Sequence, residues 1–483
     1  MLLCCLGGIA FVLVATANGG GYRYGTSDQA FYIPVVMRAL NPAAFPRDGA
    51  LIDAQGRLML CDEVIAPVMR LTGLPLDVLF LAGYLLSLLL MWLAIVAIGR
   101  QLYASPWATA AFAAAFTLRH QIPRTSANSF EPYFHPRMLA FAVGALAIAA
   151  VLRRRFWLAI ASVGIAAIVH VTTGLWFAVL IGVALAILDR RLRRLGFVAA
   201  AAASVFLLWA VTAGPLRDSS VTMDGVWLAA LASKDSLLAS DWPLWAWAAN
   251  LAFIVIAWAA HSVRRARGVA GREERALLWG ASALVAIFLI TFPLVLVRFA
   301  LSVQLQMPRV FWLVDFVALM LLVGVVRRQT VAKIAVVAVT VFAVARGAYV
   351  LTVEHPERPL FAVHLPASAW QDAMGWIGRQ RIDVHVLADP GHAWKYGTSV
   401  RVSAGRDVLL EDVKDSAVAI YSRDMALRYL ERSKALADFD NLTADRARTL
   451  AARYDLDYLV AAADLPLPLV YRNDRFKVYR LTR

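Results

Sequence analysis

The sequence predicts a polytopic α-helical membrane protein, with about 11 transmembrane helices and a small C-terminal α/β domain outside the membrane. Three observations predict it. Apolar side chains make up 61% of the 483 residues, and a mean hydropathy of +0.65 is too high for a soluble globule. Apolar runs approaching the ~20 residues needed to cross a bilayer fill the first 354 residues. The connections between them alternate between short, basic ones and long, polar ones.

The runs fall near residues 2–18, 76–98, 105–119, 136–152, 156–171, 173–188, 196–213, 243–261, 277–297, 308–326 and 331–351. With a cytoplasmic N-terminus, the connections at Arg100, Arg153–Arg155, Asp189–Arg194, His261–Arg275 and Arg327–Lys333 face the cytoplasm. These five hold 16 of the 29 basic residues of 1–354 but only three of its 16 acids, Asp189, Glu273 and Glu274. That is the positive-inside asymmetry. It accounts for most of the net charge of +15 without nucleic acid as a partner, because residues 355–483 are nearly balanced, with 19 basic and 17 acidic side chains. Three cysteines, Cys4, Cys5 and Cys61, make no disulfide framework. The stretch MLLCCLGGIAFVLVATANGG has the size of a signal peptide but lacks a basic leading region; cleaved or retained, it leaves residue 25 outside.

Outward connections are the elaborate ones: 19–75, 119–135, 214–242 and 298–307. After HPERP, at about residue 355, the composition becomes that of a soluble domain, placed outside the membrane by the same orientation. RIDVHVLADPGH and SVRVSAGRDVLLE read as strands, SAWQDAMGWIGRQ, RDMALRYLERSKALADF and ADRARTLAARY as helices. DYLVAA is a further strand, and LVYRNDRFKVYRLT a closing hairpin around Asn473-Asp474. The domains expected are therefore 1–354 and 355–483.

Chemistry-bearing residues gather in the outward loops. In GTSDQAFYIPVVMRALNP, Thr26 and Gln29 have capping-box spacing, with Asp28 in the first turn; alternatively Asp28 is a carboxylate held at the outer mouth of the bundle. RHQIPRTSANSFEPYFHPR packs Arg119, His120, Arg124, Glu131, His135 and Arg137 into one connection, either as a polar interface with Tyr133 and Phe134 in an aromatic belt or as a second carboxylate, Glu131, with Arg137 on a phosphate. His170 ends a span. Arg298, Gln304, Gln306 and Arg309 line the fourth outward loop, and the planar fork of arginine suits phosphate, although snorkelling to head groups would also place it there. Asp315 lies about 9 Å into its span at ~1.5 Å per residue. Facing lipid it would cost ~2.5–3.5 kcal/mol, so a partner or water must face it. His392, Trp394, Lys395 and Tyr396 follow a strand and read as a polar loop or an acceptor surface. No zinc-like spacing, phosphate loop or nucleophile elbow occurs.

TSDQAFYIPVVMRALNPAAFPRDG, FEPYFHPRMLAF, IVHVTTGLWF and QLQMPRVFW together resemble the GT-C superfamily of membrane glycosyltransferases, in a bacterial branch with a C-terminal extracytoplasmic domain. The likeness covers the layout of nearly the whole chain. It implies an inner (cytoplasmic) membrane enzyme that moves a sugar, with inversion, from a polyprenyl-phosphate donor among the membrane lipids to an extracytoplasmic acceptor: envelope glycan, lipid or protein. Asp28 and Glu131 become the catalytic carboxylates, and Gln29, His135, Arg137, His170, Arg298, Gln306 and Arg309 the substrate-binding set. A divalent cation, Mg or Mn, could assist the phosphate, yet its ligands are not evident. Many GT-C enzymes carry paired acids in the first loop; here Gln29 follows the acid, and the pair Asp62-Glu63 lies far along the loop.

The reading from a different class is a transporter or lipid-handling membrane protein without catalysis. Transporters bind near the bilayer midplane between repeats. Here, Asp315 apart, ionisable residues cluster at the outer mouth, and no repeat is visible. An inactive scaffold would have lost the acid, and Asp28 is present.

Overall fold

The computed structural model describes residues 2–56, 60–326 and 328–482. Met1, residues 57–59 of the first connection, Arg483, and Arg327 of the fifth basic connection lie outside the described residues. The chain is mostly helical and divides into two compact units: Met1–Tyr22 with Ala82–Met223 and Asp235–Phe361, and Arg23–Leu81 with Asp224–Lys234 and Ala362–Arg483.

Each of the eleven apolar runs is helical. Among the described residues seven helices are long and apolar enough to cross a membrane: Leu76–Leu102, Val171–Leu188, Arg190–Thr212, Leu244–Ala266, Arg272–Leu296, Ala300–Val323 and Gln329–Glu354. Four more, Cys4–Asn18, Pro106–Phe116, Pro136–Leu152 and Phe156–Val169, are apolar but shorter. Apart from Leu76–Leu81 these helices belong to the first unit, and several long apolar segments of this kind suit a protein embedded in a membrane. The Arg190–Thr212 helix buries only Leu192 and Ala210, leaving Phe197, Val205, Phe206 and Leu208 exposed, as a lipid-facing helix does. Small residues allow close crossings: a Cβ on Gly280 would stand 2.2 Å from Leu180 O, so only glycine lets the Arg272–Leu296 and Val171–Leu188 backbones approach this closely.

Where the basic connections emerge, a buried ion cluster clamps the helix ends. Glu274 is 1% exposed; it meets His261 Nδ1 at 2.7 Å and accepts from Arg264 Nη2 at 2.9 Å. Arg264 spends its other donors on Gly324 O at 2.5 Å and Leu102 O at 3.1 Å. The Glu274–Arg264 pair thus ties four segments.

The second unit is built on a five-stranded sheet: β1 His385–Leu387, β2 Asp407–Val408, β3 Tyr458–Ala461, β4 Leu469–Arg472 and β5 Lys477–Arg480, in the order β2-β1-β3-β5-β4. β1 runs parallel to β2 and β3, whereas β5 is antiparallel to β3 and β4. Strand alternation sends Val386, Val408, Val460 and Val478 into one core with Trp370, Met374 and Ile377. Leu387, Leu409, Leu459 and Tyr479 enter another with Leu436 and Leu450. Helices therefore cover both faces: Ala369–Gly378 packs in the first core, and Ala444–Tyr454, with the end of Arg423–Ala435, in the second. The hairpin at Asn473-Asp474 forms as the sequence indicates. SVRVSAGRDVLLE does not form a strand along its first half: Val400–Ser403 is a short helix, because the Ser399 hydroxyl caps it by accepting from Val402 N.

The first connection supplies this unit with the helices Gln29–Leu40, Gly49–Gly56 and Cys61–Thr72. Phe45, Leu51 and Ile52 pack with Val35 and Val418. Between Phe45 and Leu51, Asp48 is fully buried. It accepts from Arg401 Nε at 2.8 Å and Val408 N at 3.1 Å, is hydrogen-bonded by Arg428, and lies 3.9 Å from Arg432. Burial alone would raise its carboxyl, but the Arg401 and Arg428 guanidiniums outweigh it and hold it well below the usual range. Arg401 is shared with Asp415 at 2.6 Å.

Candidate functional site

In the first unit, the connection 119–135 folds as a tight antiparallel ribbon, Gln121–Ile122 against Ala127–Asn128, pinned by Trp312 Nε1 to Ser129 O and Asn250 Nδ2 to Pro123 O. This turns Glu131 inward, 3% exposed. Arg137 Nη2 reaches its Oε1 at 2.5 Å, Arg119 Nη2 its Oε2 at 3.4 Å, and the Asn128 amide lies 3.1 and 3.2 Å from its two oxygens. A carboxylate so engaged aims guanidinium groups. Glu131 is thereby a holder of Arg137.

Two histidines flank this group with rings 6.3 Å apart. His135 Nδ1 accepts from Arg137 N at 3.2 Å and caps the Pro136–Leu152 helix; His170 Nδ1 accepts from Thr173 N at 3.3 Å and caps Val171–Leu188. Because each Nδ1 is an acceptor, the proton sits on Nε2, and each ring presents a neutral N–H donor. His135, Arg137 and Arg309 all act electrostatically on His170. Arg309 is brought in by a helix break: Ala300–Gln304 ends, Gln306 takes φ +49° and a 3-10 turn, Met307–Arg309, leads into Val310–Val323. Gln304 and Gln306 are buried at that break. Arg298 is engaged elsewhere, donating to Ser240 Oγ at 2.7 Å and lying 3.4 Å from Asp241.

Asp315 finds its partner in His120, with Nε2 3.1 Å from Oδ2. The His120 Nδ1 lies 3.1 Å from Leu118 O; a carbonyl only accepts, so both ring nitrogens carry protons when the pair is ionic. Hydrogen bonding to Asp315 outweighs burial and raises the His120 imidazole above its ordinary value. Asp315, set inside an apolar run, requires a partner or water facing it. Histidine fills that place.

In the second unit the capping box does not form. Ser27 takes φ +53°, and the helix starts at Gln29 with no side-chain cap from Asp28. Gln29, fully buried, accepts from Gly25 N at 2.7 Å. The Thr26 hydroxyl is buried without a hydrogen-bond partner among the described residues. Gly25 sits at φ +79°, where a Cβ would stand 2.5 Å from Leu365. Asp28, released from capping, receives Lys414 Nζ on Oδ1 at 2.7 Å. Lys414 lies 386 residues away, and nothing local in the sequence signals it.

Of the later candidates Trp394 is 85% exposed, whereas His392 is held within the fold. His392 is fully buried, donates from Nδ1 to Asp389 O at 2.7 Å and accepts on Nε2 from Val400 N; burial takes its imidazole down to about 4. Lys395 pairs with Asp389 and Tyr396 packs on Trp370. Among the described residues no group of three or more His, Cys, Asp or Glu is placed to hold a metal ion. A shallow surface cavity of about 500 Å³ is lined by Arg472, Asn473, Asp474, Arg475 and Lys477.

No protein-family model matches the chain, and no curated protein matches it.

Proposed function

We propose that the protein is a GT-C-type glycosyltransferase of the bacterial inner membrane, with eleven spans and its C-terminal domain outside. In this reading it transfers a sugar from a polyprenyl phosphate to an extracytoplasmic acceptor. The observation that carries the reading is the set of donors at helix starts in the first unit: Arg137, braced by buried Glu131, with Arg309 and the Nε2–H groups of His135 and His170. Four donors of this kind in a partly desolvated setting suit a phosphate better than a neutral solute. The eleven helical runs and the basic connections on alternate loops support the topology.

In the reaction Asp28 takes the proton of the acceptor hydroxyl. The acceptor oxygen bonds to the anomeric carbon from the face opposite the phosphate, the carbon–oxygen bond to phosphate breaks, and its electron pair leaves with polyprenyl phosphate. The centre inverts. Arg137 and Arg309 meet the charge that develops on the leaving oxygens, with Gln306 at the turn that carries Arg309. Glu131 acts through Arg137 as a positioning residue, and Arg298, tied to Ser240 and Asp241, is the least suited of the arginines to this task.

Purified protein assayed against a panel of polyprenyl-phosphate sugars tests this, with Asp28→Asn expected to lose roughly 10²–10⁴-fold in rate. Full transfer by the variant would remove Asp28 from the chemistry. A folded protein inert to every donor would turn the reading toward a non-catalytic transporter or lipid-handling protein, which the His120–Asp315 pair at a span would then serve as a proton site.

A further inference from the structure

Two lysines stand beside Asp28 in the second unit. Lys414 Nζ contacts Asp28 Oδ1 at 2.7 Å and lies 5.0 Å from the centroid of Phe31. Lys234 Nζ donates to Val413 O at 3.0 Å, which brings a second ammonium to the same turn of chain. The neighbouring carboxylate, Asp412, accepts from Tyr429 at 2.6 Å. Burial, and after it the charge of Lys414, pulls the Lys234 ammonium below its ordinary value, with Asp412 and Asp28 acting the other way.

An ion pair with Asp28 needs one lysine. The second is half-buried and anchored on a carbonyl, close enough to Lys414 for their charges to oppose each other. Each ammonium has three donors, so both keep N–H bonds to offer. A phosphate monoester carries about −1.5 to −2 charges at neutral pH, which two ammonium groups match and a single carboxylate does not.

We infer that Lys414 and Lys234 form a subsite for a phosphate-class oxyanion carried by the acceptor, which draws Lys414 away from Asp28 as it binds. The inference rests on the reading of Asp28 as the base. The exchange makes and breaks no covalent bond: the Lys414–Asp28 contact gives way to Lys414–phosphate. Lys414 leaves Asp28 as the acceptor hydroxyl arrives, and an acceptor without the oxyanion leaves the Lys414–Asp28 contact in place. The acceptor is therefore anionic.

Equilibrium binding tests this without any sugar transfer, so its failure is separable from failure of the enzymatic reading. Full-length protein in detergent is titrated calorimetrically with inorganic phosphate, and protein in phosphatidylcholine nanodiscs is compared with and without phosphatidate. Lys414→Met and Lys234→Met are each expected to weaken binding at least ~10-fold, the loss of a charge-assisted hydrogen bond, while Lys414→Arg retains it. Asp28→Asn is expected to tighten binding severalfold, because the competing carboxylate is gone; an ion pair serving only stability gives no such gain. Response to inorganic phosphate supports the subsite with a soluble acceptor, and response confined to phosphatidate supports it with a lipid acceptor. Silence in both arms, wild-type affinity in both methionine variants with unchanged melting, or weaker binding by Asp28→Asn would overturn it. Should Lys414→Met fail to fold, Lys414→Arg and Asp28→Asn decide.

Discussion

Replacing Asp48 by alanine is expected to loosen the join between the first connection and the sheet it packs on. The side chain is fully buried, and its hydrogen-bond partners, Arg401, Arg428 and Val408 N, all come from residues after 400. Removing one member of a buried pair costs about 3–5 kcal/mol, because the remaining charge stays buried without compensation. Here Arg401 keeps Asp415 while Arg428 loses its carboxylate, so the lower half of that range is expected. At 1.4 kcal/mol per factor of ten, a loss of ~3 kcal/mol speeds local opening about 100-fold. Hydrogen exchange followed by mass spectrometry on peptides covering residues 44–56 reads this directly. The pH sense follows from the depressed carboxyl: its stabilisation is full above the unfolded value near 3.8 and disappears as pH falls through the folded one. Wild-type protection should therefore persist at pH 5. Exchange in Asp48→Ala within threefold of wild type would refute the claim that this carboxylate holds the join.

Three further outcomes are expected. Glu411, fully buried, is pushed up to about 7 by burial, against the pull of Arg401; the folded state then binds the extra proton, so wild-type stability falls as pH rises from about 4.5 to 7 and levels off above. Glu411→Gln should remove that slope in melting curves, and equal slopes would count against it. The His120–Asp315 pair has the opposite origin but the same direction: the raised imidazole contributes fully below pH 6.5 and is lost as pH climbs through its folded value. Asp315→Asn should flatten the decline in melting temperature between pH 6 and 9, and an unaltered decline would assign it elsewhere. Gly280→Leu should cost at least 1–3 kcal/mol by forcing two backbones apart, visible as a lower melting temperature in detergent; an unchanged melt would mean the helices separate freely.

What the sequence reveals depends on how far the partners lie along the chain. Helical runs are legible because each is a continuous apolar stretch, and β1, β3 and the β4–β5 hairpin because alternation and Asn473-Asp474 are local signals. VRVS reads as a strand by its β-branched residues, but Ser399 as a cap overrides that preference. The box at Thr26 and Gln29 fails because Ser27 adopts a left-handed backbone, which spacing does not encode. Hidden altogether are Lys414 on Asp28 and Arg401 on Asp48, separated by 386 and 353 residues. Pattern also missed Glu274, which resembled an ordinary surface acid of a basic connection. Arg298 shows the reverse: chemically apt by composition, it is claimed by Asp241.

That Glu274 clasp has a mechanical corollary. Four chain segments stapled by one buried ion pair form a pivot, since parting Arg264 from Glu274 strands a charge away from water. Severing the staple should let these helices gape where they are ordinarily shut.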